Sequence, residues 1–247
     1  MLFRSNPERV VGFHFFNPVA VMPLLEIART SKTDDATTAT AVSVGKELKK
    51  TMIICKDAPG FVVNRLLTRF MGEVTDAIDE GTPIEVADNA LRPLGFPMSP
   101  LELFGLVGPG VALHVSKTLN ANLGPRYKVS PTVERLVAKG VKTFYNKDES
   151  GKLVANPEAL TLVEKGSKPS TADEVRLRAL KALAQEAKMM LDEGVVATPS
   201  EIDLCMLMGA GWPMHLGGIL PYLDREGISD SVCGQRFHSH GVASLPA

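Results

Sequence analysis

Cysteine is scarce in this 247-residue chain. Cys55, Cys205 and Cys233 stand far apart, form no Cys-x-x-Cys pair and make an odd set. That excludes a disulfide framework and a zinc ribbon, and it fits a reducing compartment such as the cytoplasm. Charge of either sign is nearly balanced, at a formal net of −1, so nothing favours nucleic acid or an anionic membrane surface as partner. No apolar run approaches the roughly 18 residues of a membrane span. The start, Met1-Leu2-Phe3-Arg4-Ser5-Asn6-Pro7, lacks the apolar core of a secretion signal. Also missing are a Gly-x-Ser-x-Gly elbow, a phosphate loop and any metal-ligand spacing among the five histidines, His14, His114, His215, His238 and His240. His238-Ser239-His240 reads as a solvated tail. What is present is ordinary for a globular protein: 45% hydrophobic and 22% charged residues. A chain of this length accommodates one or two domains with a substantial core.

The first stretch reads as α/β. Arg9 to Phe16 is rich in Val and Phe and stops at Asn17-Pro18, as a buried strand entering a turn would. Pro23 to Ile27 is a second short strand, and Thr51 to Cys55 a third. Between these two, Asp34 to Lys50 has acid at its front and base at its back, which suits a helix dipole. Strand, helix, strand predicts part of a parallel sheet. After Pro59-Gly60 the period changes. Val63, Leu66, Leu67, Phe70, Met71, Val74, Ala77 and Ile78 predict a helix over 61–80 that Gly81 stops. Further helices open at Thr82-Pro83, Ser99-Pro100 and Pro109-Gly110. Thr143 to Ala155 reads as a hairpin or irregular loop, and Val163 to Ala172 as a polar linker.

An internal repeat runs through the helical part. Arg65, Glu73, Asp79-Glu80-Gly81, Asp88 and Gly95-Phe96-Pro97-Met98 recur as Arg178, Glu186, Asp192-Glu193-Gly194, Asp203 and Gly211-Trp212-Pro213-Met214. The spacing is constant from Arg65/Arg178 to Gly81/Gly194 and lengthens before Gly95/Gly211. Taken singly, each Gly, Pro and Asp has a sufficient role in capping and turning helices. Together they imply a duplicated helical unit.

Two residues stand against the apolar pattern. His14 follows a buried run, where core packing is the commoner fate of a lone histidine, yet it precedes a turn at a strand's carboxyl end, where open α/β sheets place ligands. Glu26 lies in Leu24-Leu25-Glu26-Ile27, where a carboxylate is costly unless paired. If the two strands are adjacent, Glu26 accepts from one ring nitrogen of His14 and leaves the other as a base; otherwise Glu26 is an exposed strand end. Asn64 either caps its helix or donates to a ligand carbonyl.

Gly12-Phe13-His14-Phe15-Phe16-Asn17-Pro18, then Leu24-Leu25-Glu26-Ile27, then Lys56-Asp57-Ala58-Pro59-Gly60-Phe61-Val62-Val63-Asn64-Arg65, resemble the signature of the 3-hydroxyacyl-CoA dehydrogenases in order and spacing. From about Pro7 onward the chain resembles the C-terminal portion of the multifunctional fatty-acid oxidation α subunit, which joins enoyl-CoA hydratase and dehydrogenase and whose helical domain is duplicated. The resemblance implies a mainly α fold: the C-terminal remnant of a Rossmann-type α/β domain over 1–57, a first helical dehydrogenase domain over 58–160 and a second helical repeat over 161–247. It implies NAD-dependent oxidation of (3S)-hydroxyacyl-CoA to 3-ketoacyl-CoA in fatty-acid β-oxidation. His14 would be the general base and Glu26 its orienting partner, with Asn64 and, less directly, Asn17 on the substrate. An acyl-CoA substrate and a homo-oligomer or thiolase-containing complex would be the partners. A related 3-hydroxybutyryl-CoA enzyme is a further reading, against which the duplication counts.

The nucleotide-binding glycine loop, Gly-x-Gly-x-x-Gly between a strand and a helix, is not found. Gly105 to Gly110 follows a helical stretch and Gly209-Ala210-Gly211 belongs to the repeat, so both read as helix-end turns. The family places this loop upstream of the histidine strand, as it does a serine that touches the substrate hydroxyl, and Ser5 is no substitute. The expectation is a chain that does not bind NAD by itself. The rival reading is a non-catalytic fragment serving packing or subunit association.

Overall fold

The computed structural model describes residues 5–242. Strands β1 (Val11–Phe15), β2 (Leu24–Arg29) and β3 (Thr51–Lys56) form one sheet, and β4 (Tyr145–Lys147) and β5 (Leu153–Ala155) a separate hairpin. The helices are α1 (Asp35–Glu47), α2 (Val63–Asp79), α3 (Ile84–Asn89), α4 (Pro100–Val107), α5 (Pro109–Leu123), α6 (Pro131–Lys139), α7 (Pro157–Leu162), α8 (Ala172–Asp192), α9 (Pro199–Gly209), α10 (Ile219–Arg225) and α11 (Ile228–Cys233). Two compact units result: residues 1–66 with 184–247, and residues 67–183.

In the first unit, β2 and β3 are parallel and α1 crosses between them, as strand–helix–strand predicts. β1 runs antiparallel to β2, with Val11 opposite Arg29 and His14 opposite Glu26. Side chains alternate across a strand. Leu25 and Ile27 therefore meet Ala41 of α1 on one face, joined by Val11, Phe13, Phe15 and Met52. Leu24, Glu26 and Ala28 point to the other face, and all five residues from Leu24 to Ala28 are buried. Helix α1 starts at Asp34, whose carboxylate accepts from Thr37 N at 2.6 Å. Gly209 at the end of α9 admits Leu24 and Val63: a Cβ there would lie 2.5 Å from Leu24 Cδ2.

The first unit also corrects one expectation. His238 is not part of a solvated tail. Its side chain is 9% exposed, and its Nε2 lies 2.7 Å from Asp203 Oδ2. The Phe237 and His238 amides donate to Asp224. Asp203 and Asp224 are buried carboxylates that need donors, and this segment supplies them. Burial pushes Asp203 up, while the Leu220 amide and His238 pull it down. His240 is exposed, and no metal-ligand cluster occurs among the described residues.

In the second unit, Gly81 ends α2 with φ +108°. The 163–172 segment is more than a linker. Gly166 sits so close to the end of α2 that a Cβ would lie 2.1 Å from Glu80 C, and the amides of Lys168 and Ser170 donate to Glu80 O and Thr82 Oγ1. The 143–155 segment is the β4–β5 hairpin, and α4 ends at Gly108 with φ +92°, a helix-end turn as expected.

Asp76 in α2 is buried, and burial lifts its carboxyl from 3.8 to about 6 despite Lys128 Nζ at 3.1 Å. A raised carboxyl resists ionisation only in the folded state. Its contribution is therefore full below about pH 4 and is lost as pH rises to about 6. The shift corresponds to roughly 3 kcal/mol. Asp76→Asn should remove this loss, so urea unfolding should show the variant gaining on wild type between pH 4.5 and pH 7. An unchanged difference would contradict the assignment.

Candidate active site

The site is built where β1 leaves the sheet. Gly12 brings β1 close to β2, because a Cβ there would lie 3.0 Å from Ala28 Cβ. Phe13 and Phe15 turn toward α1 and pack edge to face at 5.2 Å. His14 therefore falls on the opposite face, directly across from Glu26. The chain then passes buried Phe16 and turns at the cis Asn17-Pro18 bond. Lys50 pins the loop beyond by donating to Val19 O and Met22 O.

Glu26 is completely buried, and both carboxylate oxygens are engaged. Oε1 accepts from the amides of Val62 at 3.1 Å and Val63 at 2.9 Å. These are among the free donors at the start of α2, so the helix's positive end faces the carboxylate. Oε2 lies 2.8 Å from His14 Nδ1. A carboxylate only accepts, so Nδ1 carries the ring hydrogen and the Nε2 lone pair remains open. The imidazole is held from two sides, by Phe16 at 4.7 Å and Phe61 at 5.4 Å between ring centroids. Its side chain is 29% exposed. A histidine fixed by a buried carboxylate at one nitrogen, with no hydrogen bond at the other among the described residues, is equipped to take a proton.

Asn64 stands in the first turn of α2, just after the amides that hold Glu26. It is half-buried, and its side chain makes no hydrogen bond among the described residues. Asn17 is exposed in the loop after β1. The structure thus joins His14 to Glu26, sets Asn64 on the helix end that anchors Glu26, and leaves Asn17 in the adjoining loop. Sequence reading missed the Val62 and Val63 amides and the ring of Phe61. The signal for both was Pro59-Gly60 immediately before an apolar helix. Cys55 of β3, opposite Ala28 in the same sheet, is buried, and burial pushes its thiol up to about 12, which disfavours the reactive thiolate.

The described residues do not fit a dinucleotide. Between β2 and α1 the loop is Thr30-Ser31-Lys32-Thr33-Asp34, without glycine, and Asp34 caps the helix. Between β3 and α2 there is one glycine, Gly60, and the helix amides are taken by Glu26. A pyrophosphate needs such amides free.

A histidine hydrogen-bonded to a buried carboxylate, on a strand that leaves an α/β sheet, is an arrangement that general-base chemistry uses. The sequence matches the 3-hydroxyacyl-CoA dehydrogenase NAD binding domain over residues 3–58 and the C-terminal domain of the same family over residues 60–149. The chain belongs to the 3-hydroxyacyl-CoA dehydrogenase family. It is 35% identical over 237 residues to the fatty acid oxidation complex subunit alpha of Shewanella putrefaciens, covering 92% of this chain and 34% of that one. The corresponding subunit of Idiomarina loihiensis is 36% identical over 236 residues, covering 92% and 33%. The chain thus spans about a third of the length of these relatives. Among solved structures, a 3-hydroxybutyryl-CoA dehydrogenase from Escherichia coli superposes with TM-score 0.74 at 21% identity, over 98% of this chain and 71% of that one. The dehydrogenase part of multifunctional enzyme 1 from C. elegans gives 0.56 at 25%, over 94% and 58%.

Proposed function

We propose that this chain supplies the proton-transfer half of a 3-hydroxyacyl-CoA dehydrogenase active site. The observation that carries the reading is the fully buried Glu26 bound at once to His14 Nδ1 and to the Val62 and Val63 amides where α2 begins. In this reading His14 Nε2 takes the proton of the 3-hydroxyl as (3S)-hydroxyacyl-CoA is oxidised to the 3-ketoacyl form. Glu26 holds the ring and stabilises its positive charge. Asn64 donates to the reacting carbonyl oxygen, and Asn17 is a second polar contact. The setting is β-oxidation in the cytoplasm, with association into a homo-oligomer or with a thiolase-containing assembly; the relatives' names, subunits of a fatty acid oxidation complex, support membership of a complex. NAD is the cofactor the family implies.

The segments 1–57, 58–160 and 161–247 are proposed as the units of descent, the last two duplicated. Paired contacts support this. Arg65 binds Glu186 and Glu193, while Arg178 binds Glu73 and Glu80, so each copy's arginine takes the other copy's glutamates. Asp88 caps Leu101 N as Asp203 caps Leu220 N.

The test is a fusion of this chain behind a Rossmann-type dinucleotide-binding segment with the Gly-x-Gly-x-x-Gly loop. The fusion should form NADH from a 3-hydroxyacyl-CoA, whereas the chain alone should show no saturable NADH fluorescence change in the micromolar range. A folded, NADH-binding fusion without turnover would contradict the reading, as would tight NADH binding by the chain alone.

A further inference from the structure

We infer that Phe61 is a positioning residue for His14. The inference rests on the proton-transfer reading of that histidine, and it begins from an exception in the backbone. Phe61 has φ +47°, directly after Gly60 at φ +75°. Left-handed geometry is cheap for glycine and unfavourable for a residue with a bulky side chain. A turn alone would be better served by a second glycine. Such outliers persist where the surroundings hold them, and they cluster at functional sites.

The geometry shows what the conformation accomplishes. The two left-handed residues reverse the chain after Pro59, with Phe61 N donating to Ala58 O at 3.0 Å. The next two amides, Val62 and Val63, then point at Glu26 Oε1. Glycine at 61 could make the same reversal. It could not place a ring against the imidazole, where Phe61 lies 5.4 Å from His14 with the planes inclined at 56°. Phe16 lies 4.7 Å from the same imidazole at 71°. Glu26 fixes one point of the imidazole, at Nδ1. One hydrogen bond leaves the ring free to swing about χ1 and χ2, and the two phenyl rings remove that freedom. The phenyl ring of Phe61 is therefore assigned a role separate from its backbone: it keeps Nδ1 on Glu26 and Nε2 clear of a protein partner.

The separation can be read from nitrogen-15 spectra of the His14 ring, recorded on the chain itself at a pH where the imidazole is neutral. Wild type should show one tautomer, with hydrogen on Nδ1 and a bare Nε2. Phe61→Tyr should preserve it. Phe61→Gly relieves the backbone and should fold at least as stably, yet its Nδ1 and Nε2 shifts should converge toward those of a freely exchanging imidazole. Phe61→Leu should do the same with the backbone still constrained. A Phe61→Gly protein that keeps the wild-type ring shifts would overturn the inference and leave Phe61 as a turn residue. Glu26→Gln separates the two levels of argument, since it should abolish the Nδ1 tautomer. If wild type itself shows mixed tautomers, the His14–Glu26 reading fails, and the role of Phe61 fails with it.

Discussion

Replacing His14 with glutamine, in the fusion that carries a dinucleotide-binding segment, should lower turnover about 10²–10⁴-fold and shift the melting temperature by no more than about 2–4 °C. The two effects diverge because the histidine's load is chemical. Its ring is 29% exposed, so little apolar burial is lost. Glutamine can still donate to Glu26, which keeps the buried carboxylate paired. What disappears is the open Nε2 lone pair, the only basic atom that the Glu26 contact leaves on this side chain. KM for the acyl-CoA should move far less than kcat, because an interaction made chiefly in the transition state is being removed. A large loss of stability with turnover retained would make His14 a packing residue and remove the basis for the proposed function.

The largest effect on stability is expected at Arg65. This guanidinium is fully buried, with Nε 2.6 Å from Glu186 Oε1 and its two terminal nitrogens 2.6 and 3.0 Å from the Glu193 carboxylate. Glu186 is also fully buried, whereas Glu193 is 40% exposed. Arg65→Ala leaves the Glu186 charge buried without its guanidinium, which should cost about 3–5 kcal/mol. Arg178 makes the related contacts to Glu73 and Glu80 but is 31% exposed. Solvent screens that pair, and Arg178→Ala should cost roughly 1 kcal/mol. Equilibrium unfolding in urea distinguishes the two. Similar losses for both variants would mean that burial does not set the cost here. Adding Glu186→Leu to Arg65→Met should recover much of the loss, because an apolar pair has no charge to desolvate.

Legibility followed the range of the interactions. The β2–α1–β3 unit was readable, because side-chain period and dipole charges are local. Gly81 ending α2 and the 145–155 hairpin were readable for the same reason. Glu26 was conspicuous because an acid among Leu24, Leu25 and Ile27 violates the apolar rule, and such a carboxylate needs a partner, which His14 is. Its other partners were not legible. Nothing in the spacing of Val62 and Val63 says that their amides meet a carboxylate 36 and 37 residues earlier. The left-handed state of Phe61 was hidden because its residue type argues against it. His238 was misread because Asp203 and Asp224, the carboxylates that bury it, lie outside any local window. The Arg65 and Arg178 pairs span 98 to 128 residues, and the repeat hinted at them only by recurring in kind.

The claim on which the rest depends is that Glu26 holds His14 by Nδ1 and leaves Nε2 as the base. The nitrogen-15 spectrum of the wild-type ring tests it most directly. A protonated Nδ1 and a bare Nε2 in a single neutral tautomer is the predicted result. Hydrogen on Nε2, or a rapid mixture of both forms, would contradict it.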